Sequence, residues 1–214
     1  MKIEIFRFNS FDENTYIVYD DTKECVIVDP GCYTDEEKKF FTNIISQKGL
    51  IPKLIVNTHC HPDHILGVNY LKNKYNIPFA ANSADNYMLS IADKMAAMWG
   101  WKIDTPIVID INCTNNTQIT FGNSVLKCMH TPGHTPGGQV LYSESDKFMI
   151  TGDTIFKGTI GRTDLPGGNY DDIMSSIRNC ILRFDSMYTI FPGHGESTSV
   201  GVEAGQNPFV GIED

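Results

Sequence analysis

The segment Thr58-His59-Cys60-His61-Pro62-Asp63-His64 places three histidines and one aspartate within six residues. No other stretch of the chain constrains it as strongly. Neutral imidazole and carboxylate suit zinc and the neighbouring first-row metals. Downstream, His134, Asp153 and His194 each sit beside a glycine, and five of the six histidines fall in this set. Surface or core histidines scattered by chance do not cluster in this way. The pattern predicts a metalloenzyme.

The whole chain bounds what that enzyme can be. At 214 residues it suits one large domain spanning 1–214 with a substantial core. No apolar stretch approaches the ~20 residues that cross a bilayer. The first residues, MKIEIFRFNSFDENTY, lack the basic start and apolar segment of a signal peptide, so a cytoplasmic protein is expected. Six cysteines without a CxxC pair read as reduced thiols. A formal charge of −9 argues against nucleic-acid and anionic-membrane partners. The expected partner is a small-molecule substrate, with the chain a monomer or homodimer.

Strands alternate with helices along the chain. Strands are predicted at Tyr16 to Tyr19, Cys25 to Val28, Leu54 to Val56 and Ile77 to Ala81. Others follow at Gln118 to Phe121, Ser124 to Met129, Gln139 to Tyr142, Phe148 to Ile150 and Thr189 to Phe191. Thr34-Asp-Glu-Glu37 has the form of a capping box, and Phe40, Phe41, Ile44 and Ile45 then make an apolar helical face. Helices are also expected over His64 to Tyr75, Ser83 to Met98 and Tyr170 to Phe184. This is a layered α/β pattern. Each candidate ligand follows a predicted strand, where a rigid sheet positions loop residues.

On an extended segment His59 and His61 point to the same side. If His134 joins them, three imidazoles bind one ion. If Asp63, His64 and His194 form the other set, a second ion has three ligands of its own, and Asp153 can bridge the two. Three protein ligands per ion leave open positions, the mark of a catalytic site. Two such ions can activate water and polarise a carbonyl or phosphoryl oxygen, which implies hydrolysis. Asp63 and Asp153 are the candidate catalytic carboxylates. The ions expected are two divalent metals, zinc by preference, with iron or manganese also compatible.

His59-x-His61-x-Asp63-His64 followed by His134, Asp153 and His194 resembles the metallo-β-lactamase-fold hydrolases, from about Asn14 to Phe209. That resemblance implies an α/β fold of four layers, an αββα sandwich with a dinuclear site at one edge of two packed sheets. Thr131-Pro-Gly-His134-Thr-Pro-Gly137, Gly152-Asp153-Thr-Ile-Phe156, Gly161-Arg-Thr-Asp-Leu-Pro-Gly-Gly168 and the tail Pro192-Gly-His-Gly195 through Asn207-Pro-Phe209 look like the short, single-domain glyoxalase II branch. The branch implies thioester hydrolysis, with S-lactoylglutathione (a hydroxyacylglutathione) as reference substrate. True glyoxalase II continues into a C-terminal helical region that binds glutathione, whereas this chain ends soon after His194.

Three other readings compete. A β-lactamase of this fold is disfavoured by Asp153, which such lactamases generally lack. A persulfide dioxygenase would hold a single iron through His59, His134 and Asp153, the two-imidazole, one-carboxylate set of iron oxygenases. A non-catalytic metal-binding domain should carry broken ligand positions, and none is broken.

Around this set, Lys157 and Arg162 are candidate contacts for an anionic substrate group, although for Arg162 pairing with Asp164 or Asp171 to hold its loop is the preferred reading. Phe156 follows Asp153 and is a candidate substrate neighbour. Met98, Trp99 and Trp101 are candidates for an aromatic lid. His130 reads as a strand-end residue satisfied by backbone, and Cys60 as a buried, inert thiol. Asn14 and Tyr16 lie near the site by analogy with the family.

Overall fold

The computed structural model describes residues 1–210. Two six-stranded sheets face each other. The first runs, in spatial order, β1 (Lys2–Phe8), β2 (Glu13–Tyr19), β3 (Glu24–Val28), β4 (Ile51–Val56), β5 (Phe79–Ala81) and β6 (Ile111–Asn112). Strands β1 to β3 are antiparallel, and β3 to β6 run parallel. The second sheet contains β7 (Gln118–Phe121), β8 (Ser124–His130), β9 (Gln139–Ser143) and β10 (Phe148–Gly152). A small hairpin, β11 (Ile155–Phe156) with β12 (Thr159–Ile160), separates these from β13 (Thr189–Pro192) and β14 (Thr198–Ser199). Its spatial order is β14-β13-β10-β9-β8-β7.

The period of two along each strand builds the layers. On β2 every residue is buried, yet alternate side chains go to different cores. Tyr16 and Val18, with Val26, Val28, Leu54 and Val56, meet Leu126, Leu141, Phe148 and Ile150 of the second sheet. Ile17 and Tyr19, with Ile27 and Ile55, face outward onto helix α1 (Asp35–Gln47), which contributes Phe41 and Ile45. A strand buried on both faces reads as a continuous apolar run, as these do. On the second sheet Val140, Tyr142 and Met149 face outward and pack on α6 (Tyr170–Asn179) and α7 (Val200–Gln206). The four layers are therefore helix, sheet, sheet, helix, in agreement with the αββα expectation.

Thr34 caps α1 in the predicted capping box: its hydroxyl accepts from Glu37 N–H, and the Glu37 carboxylate accepts from Thr34 N–H. The Glu37 carboxylate also accepts from the Asn9 and Tyr33 amides, so one cap ties the loop after β1 to the loop before α1.

Two expected helices are broken. The stretch His64 to Tyr75 forms α2 (Pro62–Ile65) and α3 (Val68–Tyr75), split at Gly67. Gly67 presses on the loop after β3: its N–H donates to Pro30 O at 2.7 Å, and a Cβ would meet Cys32 Sγ at 2.6 Å. Ser83 to Met98 becomes a short 3₁₀ turn, α4 (Asn86–Ser90) and α5 (Ala92–Ala97), interrupted at Ile91, whose φ of −119° is not helical. The predicted helix from Tyr170 ends at Asn179, and Ile181–Arg183 continues as 3₁₀. Strand β1 and helix α7 escaped the periodicity reading. β1 is an edge strand with several exposed positions, and two glycines dilute the helical signal of α7. Among the described residues no helix is long and apolar enough to cross a membrane.

Candidate metal centre

The ends of the central strands converge on one edge of the sandwich. His59 and His61 follow β4, Asp63 and His64 sit in α2, His134 follows β8, Asp153 follows β10 and His194 follows β13. Pro62 at the first helical position suits its fixed φ and costs no hydrogen bond there. The turn into α2 thus displays His61 just before the helix and Asp63 and His64 within it.

The donors form two triads. Ligand atoms of His59, His61 and His134 lie within 4.8 Å of one another, as do those of Asp63, His64 and His194. His61 Nδ1 and His134 Nε2 are 2.8 Å apart. In the second triad Asp63 Oδ2 is 3.2 Å from His194 Nε2 and 3.5 Å from His64 Nε2. Asp153 stands between the triads. Its Oδ1 is 3.6 Å from His64 Nε2, and its Oδ2 is 3.5 Å from His134 Nε2 and 3.7 Å from His194 Nε2. All seven predicted positions are thus brought together.

Their chemistry fits bound cations. The Nε2 atoms of His59 and His64 and Oδ1 of Asp153 are buried without any hydrogen-bond partner. Buried polar atoms left bare cost about 1–3 kcal/mol each, and a positive ion at each triad would satisfy them. Backbone leaves room for it. A Cβ on Gly193 would overlap Asp153 Oδ1 and lie 2.8 Å from His64 Cε1, so only glycine passes there.

Burial pushes the His59 imidazole far down, and its four histidine neighbours, His64, His134, His61 and His194, add to the effect. His61 is pushed down to about 3, first by burial and then by His134. Both are therefore neutral donors at pH 7. Burial would also lower His64, but Asp63, Asp153 and Asp29 together raise it well above the ordinary value. His194 is raised against its burial by the Asp63 hydrogen bond and the Asp153 charge. Asp63 is held well below the usual carboxylate range by His64 and His194, which outweigh the opposing effect of burial. Metal binding at the second triad would displace these histidine protons.

An outer set of residues orients the donors, and two of them, Asp29 and Asp85, are absent from the sequence reading. Asp29 Oδ2 lies 3.2 Å from His64 Nδ1 and accepts from Thr58 Oγ1 at 2.5 Å, while its Oδ1 accepts from Thr58 N–H at 2.6 Å. His134 Nδ1 donates to Arg162 O at 2.8 Å and His194 Nδ1 to Phe11 O at 3.0 Å, which leaves each Nε2 free as a ligand. Asp85 is fully buried and accepts from Cys60 N–H, Thr135 Oγ1 and Gly137 N–H, at 3.0, 3.0 and 2.6 Å. It thereby clamps the His59–His61 loop to the His134 loop. Asn14 donates to Pro192 O and Gly195 O, and Tyr16 donates to Pro192 O, so both hold the loop that carries His194. Nothing local in the sequence marks Asp29 or Asp85, since their partners lie 25 to 52 residues away.

A cavity of about 370 Å³ opens beside the triads. Trp99 and Met98 line it, together with Phe11, Ile91 and Met95. Trp101 is buried and packs against Phe11 at 4.8 Å and into a cluster with Leu66 and Ala96. Arg162 also lines the cavity, with its guanidinium engaged by Asp164 through two bonds of 2.8 and 2.7 Å. Lys157 is elsewhere: it is exposed, pairs with Glu196 at 2.6 Å and is not among the lining residues. Phe156 lies outside the cavity lining too, its ring 6.3 Å from that of His194. His130 Nε2 donates to Pro136 O at 2.8 Å, the backbone-satisfied state expected of it. Burial drives the Cys60 thiol far up, which makes it inert.

Comparison with known proteins agrees with this geometry. Residues 10–194 match the family model of the Metallo-beta-lactamase superfamily. The chain is 31% identical to the hydroxyacylglutathione hydrolase GloC of Haemophilus influenzae over 98% of both chains. It is 32% identical to the probable metallo-hydrolase YqgX of Bacillus subtilis over 92% of both. Among solved structures it resembles BLEG-1, a B3 metallo-beta-lactamase, with TM-score 0.89 and 31% identity over 98% of this chain and 99% of that one. It also resembles TTHA1623 in a di-iron-bound form, with TM-score 0.86 and 30% identity over 96% and 99%. With two face-to-face sheets, seven donors at one edge and a match over most of its length, this chain belongs to the metallo-β-lactamase superfamily.

Proposed function

We propose that the protein is a metal-dependent thioesterase of the glyoxalase II kind, hydrolysing S-lactoylglutathione or a related thioester. The observation that carries the reading is Asp153, whose carboxylate stands between the triads, with Oδ2 within 3.7 Å of both His134 and His194 and Oδ1 3.6 Å from His64, and so suits a shared, dinuclear centre. The full-length likeness to a hydroxyacylglutathione hydrolase supports the choice of thioester.

His59, His61 and His134 would hold one divalent ion and Asp63, His64 and His194 a second, zinc by preference, with Asp153 shared. Such ions supply a hydroxide nucleophile at neutral pH and Lewis acidity toward a carbonyl oxygen. The protein's own part is to position and to exclude water. Asp63, ionised as a ligand of the second ion, would offer its remaining carboxylate oxygen as acceptor for a proton of the attacking water. As a C–O bond forms at the carbonyl, the C–S bond breaks and the thiolate departs into the cavity walled by Phe11, Met95 and Trp99.

The test is turnover of S-lactoylglutathione and of a glutathione-free thioester by protein of counted metal content, beside Asp153→Ala. We expect metal-dependent hydrolysis that falls by on the order of 10²–10³-fold or more in the variant, with its circular dichroism unchanged. Near-normal turnover in a folded Asp153→Ala protein would remove the bridging role. A second reading, β-lactam hydrolysis, is favoured by the likeness to BLEG-1. Hydrolysis of a β-lactam by the same preparation, with every thioester untouched, would replace the first reading. One iron per chain and oxygen consumption with a persulfide would replace both.

A further inference from the structure

Resting on the thioesterase reading, the geometry points to a preference in substrate: the cavity selects thioesters whose non-reacting arm is apolar and uncharged, over those that carry carboxylates. The donors of the two triads form its base, through His61, Asp63, His134, Asp153 and His194. Above them its wall is apolar, built from Phe11, Ile91, Met95, Met98, Trp99 and Leu165.

These side chains are held open to solvent in a way that an ordinary core would not tolerate. Met98 is 78% exposed and Trp99 50%. Trp99 is nevertheless fixed, its ring edge-on to Phe11 at 4.9 Å, and Phe11 is fixed in turn on Trp101 at 4.8 Å. The same Phe11 accepts the His194 Nδ1 hydrogen bond through its carbonyl. Wall and donors are thus joined through one residue, so an arm lying on the wall would end beside the donors.

Charge sharpens the argument. A glutathione thioester carries two carboxylates and one ammonium, and anion recognition calls for fixed, forked or clustered cations. Arg162 is the one lysine or arginine among the lining residues, and Asp164 already neutralises its fork. Lys157 is bound to Glu196 outside the lining. A carboxylate laid against this wall would lose water without gaining a partner. An alkyl arm loses nothing, and each buried methylene is worth about 0.8 kcal/mol, roughly a fourfold gain in kcat/KM.

The metal-loaded protein should be assayed on acetyl, butyryl and hexanoyl thioesters of N-acetylcysteamine and on the same acyl series of glutathione. The expected result is kcat/KM at least about tenfold higher for the uncharged carrier at equal acyl length, with a rise along the series approaching fourfold per methylene. Met98→Lys, at a position exposed enough to spare the fold, should narrow the gap between carriers. Equal or better use of the glutathione series by the wild-type protein would overturn the preference while leaving the thioesterase reading intact. If no thioester is cleaved, that reading fails instead. Tryptophan fluorescence titration with S-hexyl-N-acetylcysteamine and S-hexylglutathione, neither hydrolysable, then decides the preference alone. Tighter binding of the uncharged thioether supports it, and equal or weaker binding overturns it.

Discussion

Replacing Asp85 by alanine should loosen the metal centre from outside it. The side chain is fully buried and accepts three hydrogen bonds: from Cys60 N–H, between the ligands His59 and His61, and from Thr135 Oγ1 and Gly137 N–H, beside His134. In Asp85→Ala the two amides are stranded, at about 1–3 kcal/mol each, and the hydroxyl can turn to another acceptor. That gives roughly 2–6 kcal/mol. Burial already pushes the Asp85 carboxyl above its ordinary value, so deleting a partly desolvated charge recovers some of this. We expect a net loss of about 2–4 kcal/mol, a large share of the ~5–15 kcal/mol of a typical domain.

Urea denaturation with an unchanged slope would measure that loss. A structural clamp alone predicts only lower stability. Positioning of the first triad predicts in addition that metal affinity, read by chelator competition on folded protein, falls by about 10–100-fold. Asp85→Asn keeps one acceptor oxygen and should recover part of both. The reasoning fails if Asp85→Ala loses less than about 1 kcal/mol and binds metal like the parent.

Two further perturbations probe other parts of the fold. Gly193→Ala should fold yet take up less metal, because its Cβ would press on Asp153 and His64; parental stoichiometry and affinity by elemental analysis and competition would refute the close-approach argument. Asp20 accepts from Thr22 N–H and Oγ1 and from Asn123 N–H and Ser124 Oγ, tying the β2–β3 turn to the β7–β8 turn. Chiefly through Thr22 its carboxyl is lowered from 3.8 to about 2. A depressed carboxyl stabilises the fold above its unfolded value and loses that stabilisation as pH falls through its folded one. The stability gap between the parent and Asp20→Asn should therefore be full at neutral pH and close as pH drops from 3.8 toward about 2. A gap that stays constant over that range would contradict the assignment.

Much of the site could be read from the sequence because its signal is local. His59, His61, Asp63 and His64 are spaced by one strand end and one helical turn, and glycines mark the turns of the other three donors. The strands were legible for the same reason: sheet residues buried on both faces form short apolar runs bounded by turn residues. The αββα layering came from family resemblance, and the alternation of Tyr16 and Val18 against Ile17 and Tyr19 between two cores supplies its physical basis. Less was legible where local propensity met tertiary demand. Helical periodicity runs straight through Gly67 and Ile91, but the chain breaks there, at Gly67 because the backbone packs tightly on Pro30 and Cys32.

What the sequence determined by itself was the donor set and the sheet-and-helix alternation, both written in spacings of a few residues. Only the tertiary structure decided which outer residues aim those donors and what surface lines the cavity beside them. Asp85 reaches Gly137 across 52 residues, Phe11 reaches His194 across 183, and Lys157 turns to Glu196 across 39. Contacts at such separations leave no periodicity in the chain. They exist only once two sheets have packed and brought their loops to a common edge.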